Sequence, residues 1–235
     1  AGKDGIQSTN TEEGSGYVLI LGGDIIISCV SDGIKGENIV EINNGNVKVE
    51  KSEEGIEGIY IRINGGDINI CATDDGINTS DGSGIDAGGK FGGNNMSNQN
   101  ASAGLSVIPI LYVNGGNLYV DAGGDGLDSN GAVYINGGNV KVDGPTNSGN
   151  GFFDYAIAFE VNGGDLIGCG STGMMEMPDA NSTQNCIIIA GINGAADDTF
   201  TIKDSSGNQV VSYKPSKTFQ AVAYSSEALK NGETY

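Results

Sequence analysis

An Asn-Gly-Gly element, a short apolar strand and an Asp-Gly-Ile turn recur in that order along this chain. They appear in Ile63 to Gly82, INGGDINICATDDGINTSDG, and in Val113 to Gly131, VNGGNLYVDAGGDGLDSNG. A third copy, LGGDIIISCVSDGI, runs from Leu21 to Ile34. Counted from Leu21, Asn43, Asn64, Asn114, Asn136 and Asn162, the steps are 22, 21, 50, 22 and 26 residues. The step of 50 is two periods, or one period with an insertion, for which Gly88 to Gly104 is the candidate. Eleven residues on from Leu21, Asn43, Asn64 and Asn114 stand Asp32, Glu54, Asp75 and Asp125, each followed by Gly and then Ile or Leu. Asp4-Gly5-Ile6 closes an earlier unit.

A unit this short cannot bury an apolar face alone and has to stack on its neighbours. The Leu-x-x-Leu-x-Leu pattern of leucine-rich repeats is absent. Strand-like alternation takes its place, with Ile59, Ile61, Ile63, Ile68 and Ile70 on one side and Tyr60, Arg62 and Asn69 on the other. Glycine permits the sharp bend between the two strands. Forty-one glycines and four prolines suit many short strands and tight turns. The expectation is an all-β protein, a right-handed parallel β-helix with coils of about 22 residues spaced ~4.8 Å apart. Asn43, Asn64, Asn114, Asn136 and Asn162 would stack as an amide ladder at the bend. The repeat fades after Gly170. Residues 1–170 are therefore read as coils, with the insertion at about 88–104, and residues 171–235 as a β-rich cap on the exposed last edge. That cap holds a hairpin around DSSGN.

Stacking brings the turn acids together. The position before the acid reads Ser31, Glu53, Asp74 and Gly124, and the position three after it reads Lys35, Glu57, Asn78 and Asp128. Eight carboxylates, Asp32, Glu53, Glu54, Glu57, Asp74, Asp75, Asp125 and Asp128, then crowd into about four coils. Like charges this close must be protonated or bridged by a cation. Asp before Gly is also good turn chemistry, which explains one acid per turn but not Glu53-Glu54 and Asp74-Asp75 in adjacent coils. Calcium suits such columns, because it takes six to eight oxygens at flexible geometry. Lys35 would close the column at one end, and Gly124 thins it at the other. A formal charge of −19 disfavours nucleic acid and anionic lipid as partners. No run is long and apolar enough to span a membrane. The four cysteines lack metal spacing and read as stacked or buried thiols.

The NGGDINICATDDGI units and the closing TFTIKDSSGNQVVSY … SSEALKNGETY resemble a bacterial cell-surface β-helix carbohydrate-binding family over nearly the whole chain. That family binds cellulose and acidic sugars. The acid pattern is also similar to the calcium site of family 9 pectate lyases, β-helices that cleave polygalacturonate by β-elimination. The resemblance implies up to three stacked calcium sites sharing ligands. Asp32 with Glu53, Glu54 and Glu57 has the lyase spacing with Glu for Asp. Glu54 with Asp74, Asp75 and Asn78 ends in Asn, and Asp75 with Asp125 and Asp128 has Gly124 where the first Asp would stand.

Three functions are compatible with these residues. A non-catalytic, calcium-binding surface protein would recognise plant-wall polysaccharide such as polygalacturonate, pectin or cellulose. A calcium-dependent lyase would also need a Lys or Arg base. Lys35 at the column's edge and Lys90 in the insertion are the bases within reach. A surface adhesin or spacer needs no sugar site. For sugar contact the candidates are Arg62, Tyr112, Tyr119 and Tyr134, which offer rings for stacking and a guanidinium for a carboxylate. An aromatic ladder that only stabilises strands would read the same way. The expected location is the extracellular cell surface, with no export signal or anchor in the sequence itself.

Overall fold

Inward-facing Ile, Val and Leu at every second strand position close the chain into a coil with an apolar lumen. The computed structural model describes residues 3–12, 14–82 and 107–235. Among them are strands and turns and no helix. The protein is a parallel β-solenoid of about six turns at about 22-residue spacing. Strands that follow the Asn-Gly-Gly bend form one sheet, in the order Asp24–Ser28, Asn46–Ser52, Asp67–Ala72, Asn117–Ala122, Asn139–Asp143 and Asp165–Gly170. Strands that follow the acid turn form the other. In two turns they run on unbroken as Ile34–Ile42 and Ile56–Ile63. Later turns break them into pairs such as Leu127–Ser129 and Ala132–Ile135.

The 50-residue step is one coil carrying an insertion. Asp67 pairs directly with Asn117, Arg62 with Tyr112 and Asn78 with Asp128. The predicted insertion at 88–104, Lys90 included, lies outside the described residues.

Ile61, Ile63, Ile68 and Ile70 are buried as the alternation requires, and Arg62 and Asn69 face out. Ile59 departs from expectation and is only half-buried. The strand turns a corner there: two consecutive residues, Ile59 and Tyr60, are half-exposed, and the pairing with Ile34–Ile42 shifts register at the same place. The corner resets the alternation and separates the acid-turn face from the face before the bend. Within the lumen each fully buried Ile contributes on the order of 1.5–3 kcal/mol.

Gly66 shows why the bend needs glycine. Its φ is +94°, and a Cβ there would lie 2.6 Å from the carbonyl oxygen of Gly45 in the coil beneath. The ladder forms as expected. Asn64 Nδ2 donates to Asn43 Oδ1 at 2.6 Å, Asn114 to Asn64 at 2.7 Å, Asn136 to Asn114 at 2.9 Å and Asn162 to Asn136 at 3.4 Å.

In the C-terminal segment Phe219–Ser225 adds antiparallel to Asp165–Gly170, and Cys186–Gly194 adds antiparallel to Phe219–Ser225. The hairpin Phe200–Lys203 with Gln209–Tyr213 crosses the outer face of this sheet, where Ile167, Phe219, Val222 and Tyr224 form a second apolar cluster. All four cysteines are free thiols. Cys71 and Cys169 share one column, but Asp121 and Asp143 lie between them, so the expected stacking of thiols is not formed there, and Cys71 is exposed rather than buried.

Candidate functional site

Backbone hydrogen bonds hold the acid turns in register from coil to coil. Gly33 N donates to Glu54 O, Gly55 N to Asp75 O and Gly76 N to Asp125 O, each at 2.9 Å. Two columns follow. One contains Asp32, Glu54, Asp75 and Asp125. The other, three residues on, contains Lys35, Glu57, Asn78 and Asp128.

At the N-terminal end, Asp32, Glu54 and Glu57 each place an oxygen within 4.8 Å of the others, a grouping able to hold a cation. Lys35 is already there. Its Nζ lies 3.3 Å from Asp32 Oδ2 and donates to Glu57. Burial opposes its charge, but the bond to Glu57 and the charges of Glu57 and Asp32 outweigh burial and raise its pKa. A tethered ammonium therefore stands where an ion would sit.

One coil on, Asn78 Nδ2 donates to both Glu54 oxygens, at 3.3 and 3.2 Å. Its own Oδ1 is buried and has no partner among the described residues. In the next coil Asp75 Oδ1 accepts from Asp125 N at 2.7 Å, and Asp125 Oδ1 from Gly151 N at 2.5 Å. Gly124 does more than thin the column. A Cβ there would lie 2.4 Å from the Oδ1 atoms of both Asp74 and Asp75, so the two carboxylates converge on the space its missing side chain leaves. Glu53 and Asp74 are exposed, and the other acids of the columns are half-buried or buried.

Burial is the leading cause that raises these acids, followed by their neighbours. Glu54 is pushed up to about 8, with Glu57 and Asp32 as the nearest charges. Asp125 is pushed up to about 7 with Asp75 beside it, and Asp75 to about 6 with Asp74 beside it. Glu57 is raised as well, against the opposing bond from Lys35. Three adjacent carboxylates that resist ionisation form a site short of positive charge.

The structure adds one member. Asp154 pairs beside Asp128 and raises both Asp75 and Asp125. The fixed offset of eleven misses it, because the sixth unit is longer and has Gly151 at the acid position. The 26-residue step from Asn136 to Asn162 was the available signal.

Two coil faces divide the sugar-contact candidates. Arg62, Tyr112 and Tyr134 stand side by side on the face before the bend. The two rings stack at 5.3 Å and 17°, and Arg62 lies 4.0 Å from Glu41. Tyr119 is not with them. It projects from the sheet after the bend, and its hydroxyl donates to Asp143 at 2.9 Å.

A family model described as carbohydrate-binding domain-containing protein matches residues 1–95 and 59–151, together more than half of the chain. The chain belongs to that family. No curated protein matches it, and no solved structure does. The coils that carry the family match, up to residue 151, hold Lys35, every predicted acid and the Tyr112–Tyr134 stack.

Proposed function

We propose that this carbohydrate-binding protein is a calcium-dependent, non-catalytic binder of acidic plant-wall polysaccharide, polygalacturonate above all, at the extracellular cell surface. The observation that carries this reading is the convergence of the Asp74 and Asp75 carboxylates on the space left by Gly124, with the buried Asn78 Oδ1 of the same coil left without a partner among the described residues. An all-oxygen donor set, a buried oxygen unpartnered among the described residues and room for an ion fit calcium. Glu54, Asp74, Asp75, Asn78, Asp125, Asp128 and Asp154 would supply the ligands for ions at successive turns, while Lys35 neutralises Asp32 and Glu57. Calcium bound there supplies the positive charge that a uronate carboxylate needs in order to approach a chain of net charge −19.

The protein's own residues orient the glycan. Tyr112 and Tyr134 offer faces for pyranose rings, and Arg62 beside them offers a guanidinium to a carboxylate. β-Elimination would need a neutral base over the sugar's C5 proton. Lys35 is held as an ammonium between Asp32 and Glu57, which supports binding without cleavage. The test is retention on immobilised polygalacturonate with calcium and with EDTA. Retention lost in EDTA, with no ultraviolet-absorbing unsaturated product in calcium, is expected. Product formation would make the protein a lyase, and full retention in EDTA would remove calcium from the mechanism.

A further inference from the structure

Nine asparagines of this chain are followed directly by glycine, and five of them stand at the bends between strands. Such a pair carries both halves of a reaction. The glycine nitrogen, with no Cβ to shield it, can attack the asparagine side-chain carbonyl carbon and close a five-membered succinimide. Whether it does so depends on what holds the nitrogen beside that carbon. At four bends the asparagine is a rung of the amide ladder. Asn64, Asn114, Asn136 and Asn162 each donate to the coil beneath, and each accepts from the segment above. Those side chains are committed along the stack. Gly137 N and Gly163 N are also engaged, each donating at 3.3 Å to a carbonyl of the coil beneath.

The bend at Asn43-Asn44-Gly45 is built differently. Asn43 takes the place in the ladder, and Asn44 stands where the other coils have Gly22, Gly65, Gly115, Gly137 and Gly163. Its Oδ1 accepts from Gly45 N at 2.9 Å. Among the described residues no other asparagine bonds the nitrogen of the glycine that follows it. We infer that Asn44 is a self-modifying site, where Gly45 N closes on Asn44 Cγ and water opens the ring to aspartate or isoaspartate.

The hydrogen bond keeps nucleophile next to electrophile, because Cγ carries the accepting oxygen. Rotation about the Cβ–Cγ bond turns the face of that carbonyl to the nitrogen. The N–Cγ bond forms as the nitrogen gives its proton to a solvent base. The Cγ–Nδ2 bond breaks, and Nδ2 takes up a proton and leaves as ammonia. Water then adds to one of the two ring carbonyl carbons, and the bond from that carbon to the nitrogen breaks. The sum is one amide and one water giving one carboxyl and one ammonia. Asn44 is exposed, so solvent supplies everything else the reaction needs.

The fold keeps this pair in place. Gly45 has φ +116°, and a Cβ there would lie 2.9 Å from the carbonyl oxygen of Gly23. The bend is also tied to one coil on both sides of Asn44, by Asn43 N to Ile20 O and Asn46 N to Gly23 O, each at 2.8 Å. Isoaspartate inserts a main-chain carbon between those two bonds, so the modified coil loses register beside the first rung of the ladder.

The test ages the intact folded protein in mildly alkaline buffer made with oxygen-18 water, followed by tryptic digestion in ordinary water and fragmentation mass spectrometry. The peptide from Gly36 to Lys48 reports Asn44. Conversion with uptake of heavy oxygen is expected at Asn44 at least tenfold faster than at Asn64, Asn114 or Asn136. In concentrated urea, where the ladder is gone, the four rates should converge. Asn44→Gly copies the other bends and should silence the peptide. The inference is overturned if Asn44 keeps its amide in the folded protein as long as the ladder asparagines do. It is also overturned if the excess at Asn44 survives unchanged in urea, because sequence and not the fold would then select it. Persistence of the signal in Asn44→Gly would place the reaction at Asn38, Asn43 or Asn46 and overturn it as well.

Discussion

Replacing Glu54 by Gln should stabilise the calcium-free protein at alkaline pH and weaken it in calcium. Glu54 is raised from 4.5 to about 8 in the folded protein, first by burial and then by Glu57 and Asp32. A carboxyl that holds its proton more tightly when folded costs stability once it must ionise. The cost is absent below about pH 4.5, grows as pH rises through the window up to about 8, and is complete above it. At about 1.4 kcal/mol per pH unit the ceiling is roughly 4–5 kcal/mol. Solvent screening at this half-buried position reduces that to roughly 2 kcal/mol. Gln keeps an oxygen for the Asn78 amide and removes the charge. In EDTA at pH 8.5, Glu54→Gln should therefore melt higher by roughly 4–8 °C, at about 2–4 °C per kcal/mol for a chain of this size. At pH 5 the gain should fall below about 1 kcal/mol, and in saturating calcium the variant should melt below the parent. Differential scanning calorimetry at these three conditions is the assay. No stabilisation in EDTA at pH 8.5, or the same gain at pH 5, would show that ionisation of Glu54 is not the strained step.

Other perturbations separate the remaining contributions. Calcium at a hundred times its Kd should stabilise the protein by roughly 2.7 kcal/mol per site over EDTA, read as a rise in melting temperature; no change would remove the metal. Lys35→Met should free the Asp32, Glu54 and Glu57 group, so native mass spectrometry should count one more calcium than in the parent. Gly124→Val should fill the space on which Asp74 and Asp75 converge, weakening calcium binding at least tenfold by calorimetry while circular dichroism stays that of a β-protein. Asn114→Ala removes two rungs of the amide ladder, bonds of 2.7 and 2.9 Å, and should cost about 1–2 kcal/mol in denaturant unfolding.

Much of this protein is written in its period. The spacing from Asn43 to Asn64 and the fixed offset to Glu54 and Asp75 specify coils that stack in register. A stacked register then places like residues over one another, which is why the amide ladder, the acid columns and the Tyr112–Tyr134 pair were all legible in the chain. Position within a column is a one-dimensional property, and a sequence carries it fully.

What the chain order could not supply is where the coil departs from its own period and which way side chains lean. The corner at Ile59 resets the alternation because the strand bends between two faces, and no residue type announces that bend. Asp154 joins the acids only because the longer sixth unit is drawn back into register by bonds such as Gly126 N to Gly151 O. Whether Lys35 points into the acids or away depends on its rotamer, and only packing chooses it; here the ammonium takes a cation's place. Tyr119 gains partners from far along the chain, because a hairpin and the segment after it, some ninety residues later, fold back onto the Asp143 that Tyr119 also bonds. The repeat dictates neighbours along the axis; contacts across the axis come from segments that do not repeat, and only the folded chain brings those together.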